Sequence, residues 1–177
     1  GEGNSLYPVS EEVKCNPSGD YAQSKVDAEK RLFKMYDTGE LKKLDILRLA
    51  PVYDSTWRFN LDKRVFAPKK LAYIKVGSGE QEMSALSRRN LVDFIQYRLG
   101  LEADGEIDDN GCNIFNVCDE KPYKFKEIIR VFKQSEYYPD RLVVRVPSGL
   151  VWIATRLSGL ILRNKRQWLY SCYDKLV

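Results

Sequence analysis

The 177-residue sequence contains no histidine. That removes the commonest zinc ligand and the commonest general base at neutral pH. Cysteine is scarce: Cys15, Cys112, Cys118 and Cys172 are scattered, and no two form a C-x-x-C pair. So sparse a set does not build an extracellular disulfide framework, and it reads as reduced, mostly buried thiols in a cytoplasmic protein. Long apolar runs are missing too. The opening GEGNSLYPVSEEVK has none of the apolar stretch of a signal peptide. The one longer region, SGLVWIATRLSGLIL at 148–162, holds Arg156 and falls short of the ~20 residues of a bilayer span. A buried or surface-lying helix is expected there. Neither sign of charge dominates, for 29 Lys and Arg against 25 Asp and Glu leave a net charge of +4. Such a charge favours anionic ligands such as phosphates, but it is too small and scattered to indicate a nucleic-acid partner.

What is present describes an ordinary globular protein, 44% hydrophobic and 31% charged. The length suits one compact domain, or one modest domain with a small lobe. Residues 1–19 carry Gly3, Pro8, Pro17 and Gly19 with little periodicity, and read as a loop. Ala22, Val26, Leu32, Phe33, Met35 and Tyr36 then recur at helical spacing, predicting a helix from Asp20 as N-cap to Asp37, stopped through Gly39. LDILRLAPVYD, residues 44–54, reads as a buried strand running into a loop at Pro51. A helix followed at once by such a strand is half of a βαβ unit, yet no strand precedes the helix in residues 1–19.

Further on, STWRFNLDKRVFAPKK is basic and aromatic and reads as a loop with a short helix ended by Pro68. LAYIKVGSG is a strand with a turn at Gly77–Gly79, and a lone G-x-G there is weak evidence for a nucleotide. MSALSRRNLVDFIQYRLGL gives a short extended piece and then a helix from near Asn90. The acidic stretch at 102–113 lacks the D-x-D-x-D-G order and terminal glutamate of a calcium loop, so a solvated connection is expected and no metal ligand is assigned. NIFNV reads as a second buried strand and KPYKFKEIIRVFKQ as a basic amphipathic helix. From Val143 the tail gives a β-like run, Pro147 and a helical ending.

Tyr21 and Lys25 stand four apart, which places both on one helical face. A phenol has a pKa near 10, and a neighbouring ammonium favours phenolate. Such a pair can move a proton to or from a sugar or alcohol hydroxyl while hydride leaves the adjacent carbon. With 11 tyrosines in the chain, chance alone supplies roughly one Y-x-x-x-K, so spacing does not decide the matter.

The surrounding blocks do. NPSGDYAQSKVDAE resembles the Asn-Pro, Tyr-x-x-Ser-Lys, Ala-Glu block of the extended short-chain dehydrogenases/reductases, the NAD-dependent epimerase/dehydratase family. LDILRLAPVYD is similar to that family's strand and loop, RRNLVDFI to its V-D-N-L-V-D-x-I helix start, and NIFNVCDEKPYKFKEII to its later strand, proline loop and helix. GEGNSLYPVSEE resembles the segment after the family's catalytic-serine strand, so the chain is expected to be the C-terminal portion of an enzyme. The serine and the glycine-rich dinucleotide fingerprint are expected before Gly1.

The resemblance implies an α/β fold: the C-terminal part of a Rossmann-type parallel sheet with helices, plus a small mixed substrate-binding lobe. It implies a late Rossmann segment at 1–55, a substrate-binding lobe at 56–110, the last Rossmann strand and helix at 111–135, and C-terminal substrate-lobe or tail helices at 136–177. Tyr21 would be the catalytic acid/base and Lys25 its pKa-lowering partner, both touching a nicotinamide cofactor, NAD or NADP, together with Pro51 and Val52. Asn60 matches an asparagine that contacts a sugar-nucleotide diphosphate, and Arg58, Lys63 and Arg64 face phosphates or form a solvated charged surface. Three positions depart from the pattern: Asp54 stands for a glycine, Met83 for an arginine that grips the diphosphate, and Arg88–Arg89 for Val-Asp. Arg88 or Arg89 is the candidate replacement for that lost positive charge.

The implied activity is hydride transfer at a nucleotide-sugar carbon in surface-polysaccharide precursor synthesis, with epimerisation, dehydration or reduction as sister outcomes. The other readings are a non-catalytic binding or assembly module that lacks the cofactor half, and a peripheral membrane-surface protein. The last would act through Trp152, Trp168 and the basic tail, against a tail helix that packs on the core or in a homodimer.

Overall fold

The structure is a computed structural model that describes residues 9–17, 19–54, 56, 59–105, 111–135 and 141–161. In chain order the elements are α1 (Asp20–Asp37), β1 (Leu44–Leu49), β2 (Val52–Tyr53), α2 (Phe59–Val65), a 3₁₀ turn (Pro68–Lys70), β3 (Tyr73–Val76), β4 (Glu82–Met83), β5 (Leu86–Ser87), α3 (Arg88–Ala103), β6 (Cys112–Val117), β7 (Tyr123–Lys124), α4 (Phe125–Gln134), β8 (Val143–Val146) and α5 (Ser148–Ile161). The fold is mixed α/β. It divides into two compact units, one of residues 1–50 with 86–118, the other of 51–85 with 119–177.

The first unit is built on a parallel pair, β1 with β6, in register from Leu44 opposite Cys112 to Leu49 opposite Val117. Helix α1 packs on β1 through a stripe of half-buried residues at Ala22, Val26, Glu29, Phe33 and Tyr36, the i, i+4, i+7 spacing of one helical face. Its N-cap is Gly19, whose φ of 95° lies in the region that favours glycine, and Asp20 is the first helical residue rather than the cap. Its end is sharp because Gly39, at φ 78°, takes the left-handed turn that lets its N–H bond Tyr36 O at 3.0 Å. Helix α3 begins at Arg88, two residues earlier than expected, because Ser87 Oγ accepts from Asn90 N–H and caps it. It lies against the strands through Phe94 on Phe115 and an Arg98 guanidinium that stacks over Phe115 while bonding Asp45.

The second unit holds the larger hydrophobic core. Leu61 and Val65 of α2, Tyr73 of β3, Met83 of β4, Ala85, and Phe125, Ile128, Ile129 and Phe132 of α4 form one buried cluster. Phe66 stacks on Tyr73 with centroids 4.6 Å apart. Here a second parallel pair, β3 with β8, runs from Tyr73 opposite Val143 to Val76 opposite Val146. A short antiparallel pair sets Glu82 and Met83 of β4 opposite Lys124 and Tyr123 of β7. The helix expected across KPYKFKEIIRVFKQ therefore starts at Phe125, since Tyr123 and Lys124 are claimed by the strand pairing. Gly77 and Gly79, at φ 55° and 77°, make a turn that opens onto β4, not onto a helix.

Among the described residues no helix is long and apolar enough to cross a membrane. The cysteines do not follow the buried expectation: Cys15 and Cys118 are exposed and Cys112 half-buried, all three as free thiols. Cys15 lies in the loop before α1 and Cys118 just past the end of β6, outside the regular elements whose packing buries side chains. Cys172 and the acidic loop residues 106–110 lie outside the described residues.

Candidate active site

Helix α1 presents Tyr21 and Lys25 side by side. The Lys25 ammonium sits 5.4 Å from the centroid of the Tyr21 ring, within the range of a cation–π contact. Both residues lie beside the docked stripe of the helix and are exposed, Tyr21 at 77% of its full accessibility. The phenol and the ammonium therefore meet whatever approaches this face, and neither is sealed into the interior.

The facing of α1 is fixed from the strand side. Arg48 of β1 forks onto Glu29 of α1, Nη2 bonding Oε1 and Nε bonding Oε2 at 3.3 Å, while Nη1 donates to the carbonyl of Glu11 at 2.9 Å. The bond to Glu29 holds the Arg48 pKa above its ordinary value. Glu29 stands one turn beyond Lys25 and two beyond Tyr21, so this ion pair sets the rotation of the helix that carries the pair. The segment before the helix is tied down as well. The Glu11 carboxylate accepts from Asn116 N–H at 2.8 Å, and the Asn116 amide donates to Val9 O at 2.8 Å. The first of these bonds lowers the Glu11 pKa.

The other expected site residues distribute between the units. Arg88 and Arg89 form the first turn of α3 in the first unit, exposed, with Arg89 a loose 3.9 Å from Asp93. Pro51 and Val52 open the second unit: β1 ends at Leu49, ahead of the loop expected at Pro51, and that loop carries the short strand β2. Asn60 falls in α2, and its side chain, like that of Lys63 and all of Arg58, lies outside the described residues. Met83 is buried in the hydrophobic core of the second unit.

A polar cluster that sequence reading missed lies in the second unit. The buried Asp119 carboxylate accepts hydrogen bonds from Tyr53 at 3.0 Å and Tyr123 at 2.8 Å, and the two hydroxyls are 2.9 Å apart. The rings meet edge to face, 5.9 Å between centroids. Burial, reinforced by the bonds to Tyr123 and Asp119, pushes the Tyr53 pKa well above its ordinary value, and burial raises that of Tyr123. A phenol so held is a proton donor within a fixed network and a poor base.

No protein-family model and no curated protein matches the chain. Solved structures do. A dTDP-glucose 4,6-dehydratase from Bacillus anthracis str. Ames in complex with NAD aligns over 82% of this chain and 45% of its own, at TM-score 0.52 and 16% identity. A candidate epimerase from Burkholderia cenocepacia J2315 aligns over 82% of this chain and 46% of its own, at TM-score 0.53 and 23% identity. A conserved protein of unknown function from Silicibacter pomeroyi DSS aligns over 77% and 43%, at TM-score 0.51 and 19% identity. At such identities the likeness is one of fold: the mixed α/β fold of this chain resembles part of these Rossmann-type structures. The chain spans less than half the length of each of these proteins.

Proposed function

We propose that this chain is part of an NAD(P)-dependent nucleotide-sugar epimerase or dehydratase in which Tyr21 is the acid/base. The observation that carries the reading is the pairing of an exposed Tyr21 with the Lys25 ammonium on one face of α1. The sequence around that pair resembles the family's catalytic block, and the fold is shared with an NAD-bound dehydratase structure. Tyr21 passes the proton of a sugar hydroxyl, and Lys25 stabilises the phenolate and bonds the nicotinamide ribose. A bound nicotinamide dinucleotide supplies hydride acceptance and return. Pro51 and Val52 are the backbone expected against the nicotinamide, and Asn60, Arg88 and Arg89 the groups expected to hold the nucleotide-sugar.

The remaining parts of the cofactor site belong to chain outside these 177 residues. Supporting this, the Gly77–Gly79 turn leads into a strand and offers no helix N-terminus for a pyrophosphate. The β1–β6 pair also leaves Ile46, Leu47, Ile114 and Phe115 only half-buried, whereas parallel strands are normally covered on both faces. Further strands and helices of a longer polypeptide would cover them.

The test is turnover of UDP- and dTDP-hexoses by the full-length gene product, followed by NMR. Tyr21→Phe is expected to lower kcat by about 10²–10⁴-fold with the fold intact. An unchanged rate refutes the assignment. Calorimetry on the 177-residue chain is expected to show weak NAD binding at most, and tight binding would contradict the division of the site. UDP-sugar binding without NAD would show that the substrate lobe is held within this chain.

A further inference from the structure

The second unit carries an open groove of about 520 Å³ between the β3–β8 pair and helix α4. Its lining is unusual in charge. Lys75, Lys126, Arg130, Lys133 and Arg145 surround a small apolar floor of Ile129 and Val143, with Gln134 at one side, and none of these described lining residues is acidic.

The convergence follows from register. Lys75 of β3 and Arg145 of β8 are direct partners in the parallel pair, so they project from neighbouring positions on one sheet face. Lys126, Arg130 and Lys133 follow at i, i+4 and i+7 along α4, one stripe of the helix. The adjoining stripe, Phe125, Ile128, Ile129 and Phe132, is buried in the core and holds the helix in place, with Ile129 at the boundary reaching the groove floor. Gly79 brings the sides close: a Cβ there would stand 3.0 Å from Lys75 Cε and 3.2 Å from Lys126 Cβ. Glu80 bonds Lys126 and Lys124 and offsets part of the charge at one end. Among the described residues neither Arg130 nor Arg145 has an ion-pair partner.

Like charges held together on packed elements repel, and a multivalent anion would offset that repulsion. We propose that this groove is a binding site for an anion bearing clustered phosphates, distinct from the nucleotide-sugar and nicotinamide contacts proposed above. Two guanidinium forks suit phosphate oxygens, and the lysines beside them, of which Lys126 already bonds Glu80, add charge without directional demand. The volume falls within the range of small-molecule sites. Among the described residues no aromatic ring lines the groove to stack a base, which favours a small anion over a single-stranded nucleic acid. The shared chemistry, two or more adjacent phosphate groups, occurs in soluble oligophosphates and in phosphoinositide headgroups.

Isothermal calorimetry of the 177-residue chain with sodium tripolyphosphate, against sodium chloride at matched ionic strength, is expected to show saturable one-to-one binding that weakens steeply with added salt. The double variant Arg130→Gln/Arg145→Gln should weaken it by about tenfold or more, and Arg130→Lys/Arg145→Lys should keep most of the affinity. Without ligand, the glutamine variant should melt at the same temperature as the parent or higher, because it relieves repulsion. A lower melting temperature with unchanged affinity would make the arginines structural and overturn the proposal. So would the absence of binding above the chloride control, or tighter binding of a DNA duplex. Vesicles of phosphatidylcholine with and without a few per cent of phosphatidylinositol 4,5-bisphosphate separate the two sources. Sedimentation with the latter alone, reversed by tripolyphosphate, assigns a headgroup, and tripolyphosphate binding without sedimentation assigns a soluble ligand.

Discussion

Asp119 is a buried carboxylate served by two phenols, which offset its cost of desolvation while they stay protonated. Replacing Tyr53 by Phe removes one donor and leaves the charge under-solvated, so the second unit should lose about 1–3 kcal/mol in urea unfolding at pH 7. The pH dependence has a definite sign. The Tyr53 pKa is raised by folding, chiefly through burial. Its contribution is therefore fully present below the unfolded tyrosine value near 10 and declines as pH rises beyond it. Between pH 9 and 11 the stability gap between parent and Tyr53→Phe should shrink. A gap that stays constant across that range would show that the hydroxyl is not held protonated by the fold.

At the scale of elements, the rotation of α1 rests on the Arg48–Glu29 fork, whose side chains keep only 24% and 17% of their accessibility. A double-mutant cycle with Arg48→Met and Glu29→Gln should report a coupling above about 1 kcal/mol. Under the proposed function, the same changes in the full-length protein should lower kcat without touching Tyr21, because they free the helix that carries it. Much at this scale was legible in the sequence. The stripe Ala22, Val26, Phe33 and the stop at Gly39 delimit α1 because amphipathic period and cap chemistry are local. The basic stripe of α4 is equally local. What escaped depends on partners far along the chain. LDILRLAPVYD reads as a strand passing into a loop at Pro51, and only the folded chain shows that Val52 and Tyr53 form a further short strand. Tyr123 and Lys124 join a strand because Glu82 and Met83 lie beside them. The Asp119 network joins residues without any periodic signature, and the Lys75–Arg145 side of the groove exists only through the β3–β8 register.

Across the whole molecule, both parallel pairs close loops of about 70 residues, β1 to β6 and β3 to β8, the kind of non-local contact that slows folding. The chain passes between the two units at Ala50–Pro51, Ala85–Leu86 and Cys118–Asp119, and each unit is assembled from two separate stretches. Residues 1–50 made alone should lack cooperative unfolding by circular dichroism, for they hold α1 and β1 without β6; a cooperative transition would show that α1 and β1 suffice. This interleaving also bears on how variants of the protein arise. No single cut releases either body intact, so neither can be inherited, exchanged or fused elsewhere by a simple recombination event. A donor gene would have to carry all three crossings at once, which binds the evolutionary fates of the tyrosine-bearing helix and the cationic groove together.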